Sequence, residues 1–212
     1  GHTVEAIERR EGSGEPVAVR YRDRHTGKSG RITTTAIVNA TGAWSPVTAS
    51  LAGMRPAHAR VRPGKGIHVV YDRRLSNYAI SGSAIDGRQI FIEPWQNMTI
   101  VGTTDDDYYG DLDDVRATSE EVRYLVQGAA RVFPAIRSAR PIGTYAGVRP
   151  TLYAWGKYED ALSRDHQVID HAPHGAPNLY SMIGGKLASY RLFAEDMTDV
   201  LAQRFDLGVH AT

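Results

Sequence analysis

Short runs of alternating apolar and polar residues fill about the first forty positions of the chain: Val4, Ala6 and Ile7, then Val17, Val19 and Tyr21, then Ile32. Gly12-Ser13-Gly14 and Thr26-Gly27-Lys28-Ser29-Gly30 separate them, so the pattern predicts a meander of strands over 4–7, 17–21 and 31–34. Ala36-Ile37-Val38-Asn39-Ala40 follows as a compact apolar run that meets Thr41-Gly42, the mark of a buried strand entering a tight loop. Further strands are expected over 67–71, 89–93 and 98–102, with Asp86-Gly87 and Gln96-Asn97 as turns. The rhythm then changes. Thr118-Ser119-Glu120-Glu121 has the form of a capping box, and Val122, Leu125, Val126, Ala129 and Phe133 recur at helical spacing, which predicts a helix over 119–132 that stops before Pro134. Strands over 143–149, 166–170 and 179–183 come next. Gly184-Gly185 breaks the last of them, and Leu187, Tyr190, Phe193, Ala194, Met197, Val200 and Leu201 predict a second helix over 186–204. These elements are expected to form one mixed sheet of about six strands with the 119–132 helix against it.

Composition narrows the field by exclusion. The 212 residues include 42% hydrophobic and 23% charged positions, which suits a folded domain and not a disordered tail. Lys and Arg total 25 against 24 acids, and a net charge of +1 gives no reason to expect nucleic acid. With no cysteine, disulfides, thiolate metal sites and thiol nucleophiles are excluded; an intracellular protein fits best. No apolar run reaches the roughly 18 residues that span a bilayer, and the chain does not open on a signal peptide.

Several tempting motifs fail on inspection. Gly12-Ser13-Gly14 and Gly64-Lys65-Gly66 lack the third glycine and the helix of a dinucleotide loop. Gly27-Lys28-Ser29 resembles the end of a phosphate loop, but Arg22 stands where the first glycine must be, so a hairpin turn is expected. The acidic stretch from Asp105-Asp106-Asp107 to Asp113-Asp114 has no closing glutamate and reads as a solvated loop. His166, His171 and His174 lack metal-site spacing and are expected at the surface.

Taken together, Asn39-Ala40-Thr41-Gly42-Ala43-Trp44-Ser45-Pro46, Arg62-Pro63-Gly64-Lys65-Gly66-Ile67-His68-Val69-Val70, Ile100-Val101-Gly102-Thr103-Thr104-Asp105, Tyr145-Ala146-Gly147-Val148-Arg149-Pro150 and Gly184-Gly185-Lys186-Leu187-Ala188-Ser189-Tyr190-Arg191 resemble, in order and spacing, the FAD-dependent glycerol-3-phosphate dehydrogenases. These belong to the D-amino-acid-oxidase-like flavoproteins. Two departures are Ala188-Ser189, where the family usually has two threonines, and Ala146, where it often has serine. The resemblance spans about residues 36 to 200. It implies an α+β fold: a mixed, largely antiparallel β-sheet substrate domain with packed helices, beside remnants of a Rossmann-like FAD-binding domain. Residues 1–50 and 166–205 would belong to the FAD domain, 51–165 to the substrate domain, and 206–212 to a tail. It also implies that the N-terminal glycine-rich region and a C-terminal helical domain of the family lie outside this chain, and that the 212 residues alone bind FAD weakly.

Oxidising a secondary alcohol requires a two-electron acceptor, a base for the hydroxyl proton and fixed charges that orient the substrate. By resemblance His68 is the candidate base, because an imidazole accepts a proton near neutral pH. Read from its position alone, it is equally a strand histidine held in the sheet. Arg149 offers a planar fork suited to phosphate or to the substrate oxygen, and Lys186 a point charge for phosphate or for a reduced flavin. The division of work among these three candidate catalytic and substrate-binding residues stays open, and the plain alternative for each cation is a surface charge. Thr41, Gly42, Trp44, Gly147, Gly184, Gly185, Lys186 and Leu187 are the candidate cofactor-binding positions, with the start of the last helix expected to point its partial positive charge at the flavin. Thr103-Thr104-Asp105 is expected to support the site.

The activity implied is oxidation of sn-glycerol 3-phosphate to dihydroxyacetone phosphate with FAD as hydride acceptor and quinone as the next acceptor, in the cytoplasm at the inner face of the cell membrane. No metal is expected, and contact with a second copy is open. Two alternatives remain: a flavoprotein of the same fold acting on an amino acid or 2-hydroxy acid, whose carboxylate Arg149 would hold equally well, or a non-catalytic domain.

Overall fold

Turns more than burial organise the first part of the chain: Ile7, Pro16 and Ala18 are buried in its strands, whereas Val4 and Ile32 are exposed. The computed structural model describes residues 1–154 and 165–208. Strands β1 (His2–Arg9), β2 (Pro16–Asp23) and β3 (Ser29–Thr33) pair antiparallel in that order, as the Gly-rich turns predict. The β2–β3 turn is a hairpin closed by the Asp23 carboxylate, which accepts from the His25 amide at 2.8 Å and the Thr26 hydroxyl at 2.9 Å. Gly27 takes φ +70° in that turn, and the antiparallel strands on both sides leave no strand-to-helix junction of the kind a phosphate loop needs. Strand β4 (Ile37–Asn39) then enters a 3-10 turn over Gly42–Trp44 that runs into helix α1 (Ser45–Ser50), with Pro46 in its first turn.

The next strands build a second sheet. β5 (Val61–Tyr71), β6 (Ile80–Ser83), β7 (Gln89–Trp95), β8 (Met98–Gly102) and β10 (Pro141–Leu152) lie in the order β10-β5-β8-β7-β6, and the two-residue strand β9 (Asp106–Asp107) pairs with β5. This is the expected sheet of six strands. Helix α2 (Ser119–Val132) covers one face, where Ile67, Val69, Tyr71, Ile90, Ile92 and Val101 meet Leu125, Ala129 and Ala130. Each such aliphatic or aromatic side chain contributes about 1.5–3 kcal/mol on burial. Gly128 lets the helix approach, since a Cβ there would clash with the Ile90 Cδ1. The capping box forms as the sequence predicts: the Thr118 hydroxyl accepts from the Glu121 amide at 3.2 Å and the Glu121 carboxylate from the Thr118 amide at 2.7 Å.

The chain returns through β11 (His166–Asp170), antiparallel to β12 (Leu179–Gly184), which in turn lies parallel to β4. Helix α3 (Tyr190–Phe205) follows a 3-10 turn over Leu187–Ser189. Two compact units result: residues 1–62 with 150–212, and residues 63–149. The second unit lies within the expected 51–165 segment, and the long strands β5 and β10 run across its two boundaries. No helix among the described residues is long and apolar enough to cross a membrane.

Four expectations need correction. The last helix proper begins at Tyr190 and not at Lys186, since Gly184 and Gly185 both hold positive φ and the Ser189 hydroxyl takes the Lys186 amide at 3.2 Å. Leu187 and Tyr190 are consequently exposed, and Met197 and Ala202 are the buried residues of α3. The acidic stretch is not simply solvated: Asp105 accepts from Arg149 and Asp106 from Arg88, at 3.0 and 2.9 Å. His171 is fully buried, its Nε2 2.8 Å from the Ser181 hydroxyl, because the turn after β11 folds it beneath β12.

Candidate active site

Strand alternation puts Gly66, His68 and Val70 of β5 on the face of the second sheet opposite α2, since Ile67 and Val69 point into the core. Register carries Gly102 of β8 and Phe91 of β7 to the same face, both aligned with His68. On β10 Ala146 packs toward the core, so Tyr145, Gly147 and Arg149 share the face with His68.

Two glycines make room for the candidate side chains. A Cβ at Gly66 would clash with the Arg149 guanidinium, and one at Gly102 would clash with the His68 ring at Cδ2. Arg149 crosses β5 at Gly66. It donates to the Asp105 carboxylate at 3.0 Å, the Thr103 hydroxyl at 2.9 Å and the Thr104 carbonyl at 3.3 Å, so the Thr103-Thr104-Asp105 segment fixes the fork from the far side of the strand. His68 stacks on Tyr145 with ring centroids 4.6 Å apart. Burial pushes its pKa below the ordinary histidine value, and the Arg149 charge lowers it further, so the ring is neutral at pH 7 and able to take a proton. Gly147 lies between Tyr145 and Arg149 with open space where a Cβ would stand.

The remaining candidates belong to the first unit. β4 and β12 run parallel, so Thr41, Gly42 and Trp44 beyond one strand and Gly184, the last residue of the other, with Gly185, Lys186 and Leu187 beyond it, lie at the same, carboxyl, end of the pair. Gly42, Gly184 and Gly185 hold φ of +60°, +78° and +80°. A Cβ at Gly184 would clash with the Asp165 carbonyl oxygen, so glycine is required there. The Thr41 hydroxyl donates to the Asn39 side chain at 2.7 Å and lies 2.9 Å from that of Thr48, which ties the loop to α1. Buried Asn39 also donates to the Ser45 carbonyl at 2.9 Å and the Ser181 hydroxyl at 3.1 Å, and Ser181 meets His171. This chain of polar groups, His171–Ser181–Asn39–Thr41, escapes a reading of the sequence: Asn39 and Thr41 lie in one of the family-like segments, but Ser181 and His171 carry no local signal.

A cavity of about 560 Å³ opens in the first unit, lined by residues that include Arg10, Glu15, Thr34, Asn178 and Arg204 and by none of the candidates. Its two arginines are engaged, Arg10 with Glu15 and Arg204 with Asn178.

The second unit presents a histidine and an arginine on one face of an antiparallel sheet, and the first unit holds a parallel strand pair that ends in positive-φ glycine turns; the family match gives the class, an FAD-dependent oxidoreductase. The chain belongs to the FAD dependent oxidoreductase family, whose model matches residues 1–191. It is 37% identical over 174 residues to the glycerol-3-phosphate dehydrogenase of Synechocystis sp., covering 77% of this chain and 32% of that protein. With the glycerol-3-phosphate dehydrogenase of Mycobacterium leprae it shares 35% over 186 residues, 86% of this chain and 31% of the other. Among solved structures, the glycerol-3-phosphate dehydrogenase from Bacillus halodurans complexed with FAD superposes with a TM-score of 0.76 at 29% identity, over 100% of this chain and 40% of that one. Glycine oxidase from Geobacillus kaustophilus, at 23% identity and a TM-score of 0.60 over 91% of this chain and 45% of that one, shares the fold. The chain thus spans about a third of the length of the curated relatives it matches.

Proposed function

We propose that the protein carrying these residues oxidises the secondary hydroxyl of sn-glycerol 3-phosphate to a ketone, with FAD as its cofactor. The observation that carries this is the pairing of a neutral His68 with a fully braced Arg149 on one open sheet face, in a chain whose relatives are named for this substrate.

His68 accepts the hydroxyl proton on a ring nitrogen. Arg149, its guanidinium plane set by Asp105 and Thr103, holds the phosphate or the substrate oxygen and so aims the reacting C–H bond. FAD fits the residues present: Gly42 and Gly185, both at positive φ just past the carboxyl ends of β4 and β12, leave the backbone bare where a dinucleotide cofactor approaches such a strand pair, with open space at Gly42 where a Cβ would stand. When bound, it supplies the two-electron acceptor. Thr41, Gly42, Trp44, Gly184, Gly185 and Leu187 would line it, and the exposed Lys186 offers its ammonium to negative charge there. Gly147 leaves room on the sheet face. Transfer onward to quinone at the inner membrane face belongs to the same proposal.

Mixing the full-length flavoprotein anaerobically with glycerol 3-phosphate is the test. Loss of flavin absorbance with this substrate, and not with glycine, sarcosine or 2-hydroxyglutarate, is the expected result; an unchanged spectrum rejects the assignment.

A further inference from the structure

His68 stands on the central strand of its neighbourhood, between β10 on one flank and β8 on the other. Its ring leans over β8, where Gly102 leaves a Cβ position empty directly against the imidazole. From β10, Tyr145 lays its ring on the imidazole with the two planes only 7° apart. Among the described residues no hydrogen bond restrains either nitrogen of His68. In most proton-transferring histidines a carboxylate or carbonyl on the second nitrogen sets the ring's orientation. Here the stack and the missing Cβ are the contacts available for that task. A two-fold torsion such as the histidine χ2 is broad when nothing bounds it, so these contacts fix the plane of the ring.

We infer that Tyr145 is a positioning residue for His68, holding the plane of the imidazole by face-to-face stacking so that a ring nitrogen meets the substrate hydroxyl at a fixed angle. The inference rests on the proposed role of His68 as base. The aromatic ring, not the hydroxyl, carries the effect, since Tyr145 is half exposed and it is ring overlap that bounds the imidazole. The ring also screens His68 from water and so belongs to the burial that keeps the imidazole neutral.

The test compares Tyr145→Phe and Tyr145→Ala with the wild type in the full-length, FAD-loaded protein, following glycerol 3-phosphate oxidation across pH. For Tyr145→Ala kcat should fall about tenfold, the scale of a misaligned reacting group, with KM within about twofold. The acid limb of kcat/KM, where His68 gains its proton, should move to higher pH, because water admitted to the ring relieves the depression of its pKa. Tyr145→Phe should restore both the rate and the wild-type limb. An alanine variant with unchanged kcat and an unmoved limb overturns the positioning role, as does a phenylalanine variant as impaired as the alanine. A wild-type protein that leaves its flavin oxidised overturns instead the reaction on which the role depends, so the two failures are told apart.

Discussion

Glycine decides where the two candidate side chains of the second unit, Arg149 and His68, lie. At Gly66 and Gly102 the space that a Cβ would take is occupied by the Arg149 guanidinium and the His68 imidazole. Gly102→Ala should therefore displace His68 and, under the proposed reaction, lower kcat/KM for glycerol 3-phosphate by about a hundredfold while far-ultraviolet circular dichroism stays unchanged, the scale for moving a proton acceptor by about an ångström. Arg149→Lys should cost at least as much, because an ammonium cannot reproduce the planar fork that Thr103 and Asp105 hold. Asn39 matters for stability. Asn39→Ala leaves Ser181 and the Ser45 carbonyl without its donors in a buried site, and urea denaturation should register a loss of about 1–3 kcal/mol.

At the scale of elements, α2 is held in two ways at once. Glu121 closes the capping box and also receives the buried Lys65 ammonium at 2.8 Å, linking the helix start to β5. Burial pushes the Glu121 carboxyl up, but Lys65 and the Thr118 bonds outweigh it and leave its pKa below the ordinary value. Thr118→Ala should cost about 1 kcal/mol as a lost cap. Glu121→Gln should cost about 3–5 kcal/mol, since it strands a buried charge, and Lys65→Met combined with it should recover part of that loss in thermal melts. The box was legible in the sequence because a cap needs only residues three apart. The true start of α3 was not, because it depends on how Gly184, Gly185 and Ser189 bend the chain ahead of it.

For the molecule as a whole, acid lability follows from its histidines. His58, His68 and His171, drawn from both units, all have pKa values lowered first by burial, with neighbouring cations adding to the effect. A depressed folded pKa means that the unfolded chain binds more protons, so the stability these groups contribute is complete above about pH 6.5 and is lost as pH falls through the folded values. Thermal midpoints should drop between about pH 7 and pH 5. His171→Gln, which removes the most buried of the three, should flatten that slope.

Much of the architecture was already present in local pattern. Short strand runs between turn residues specified the meander, β5, β7 and β8, helical spacing behind a capping box specified the helix over 119–132, and spaced motifs marked His68, Arg149 and the glycine turns. These follow from forces between residues close in the chain, where period and turn chemistry act directly. Tertiary structure alone decided that Arg149 crosses a glycine to reach Asp105, that Tyr145 stacks on His68, and that Asn39, Ser181 and His171 form one buried chain. Each of those contacts joins residues tens of positions apart or more, or on different strands, and a pattern with period two or 3.6 carries no information about which strands become neighbours.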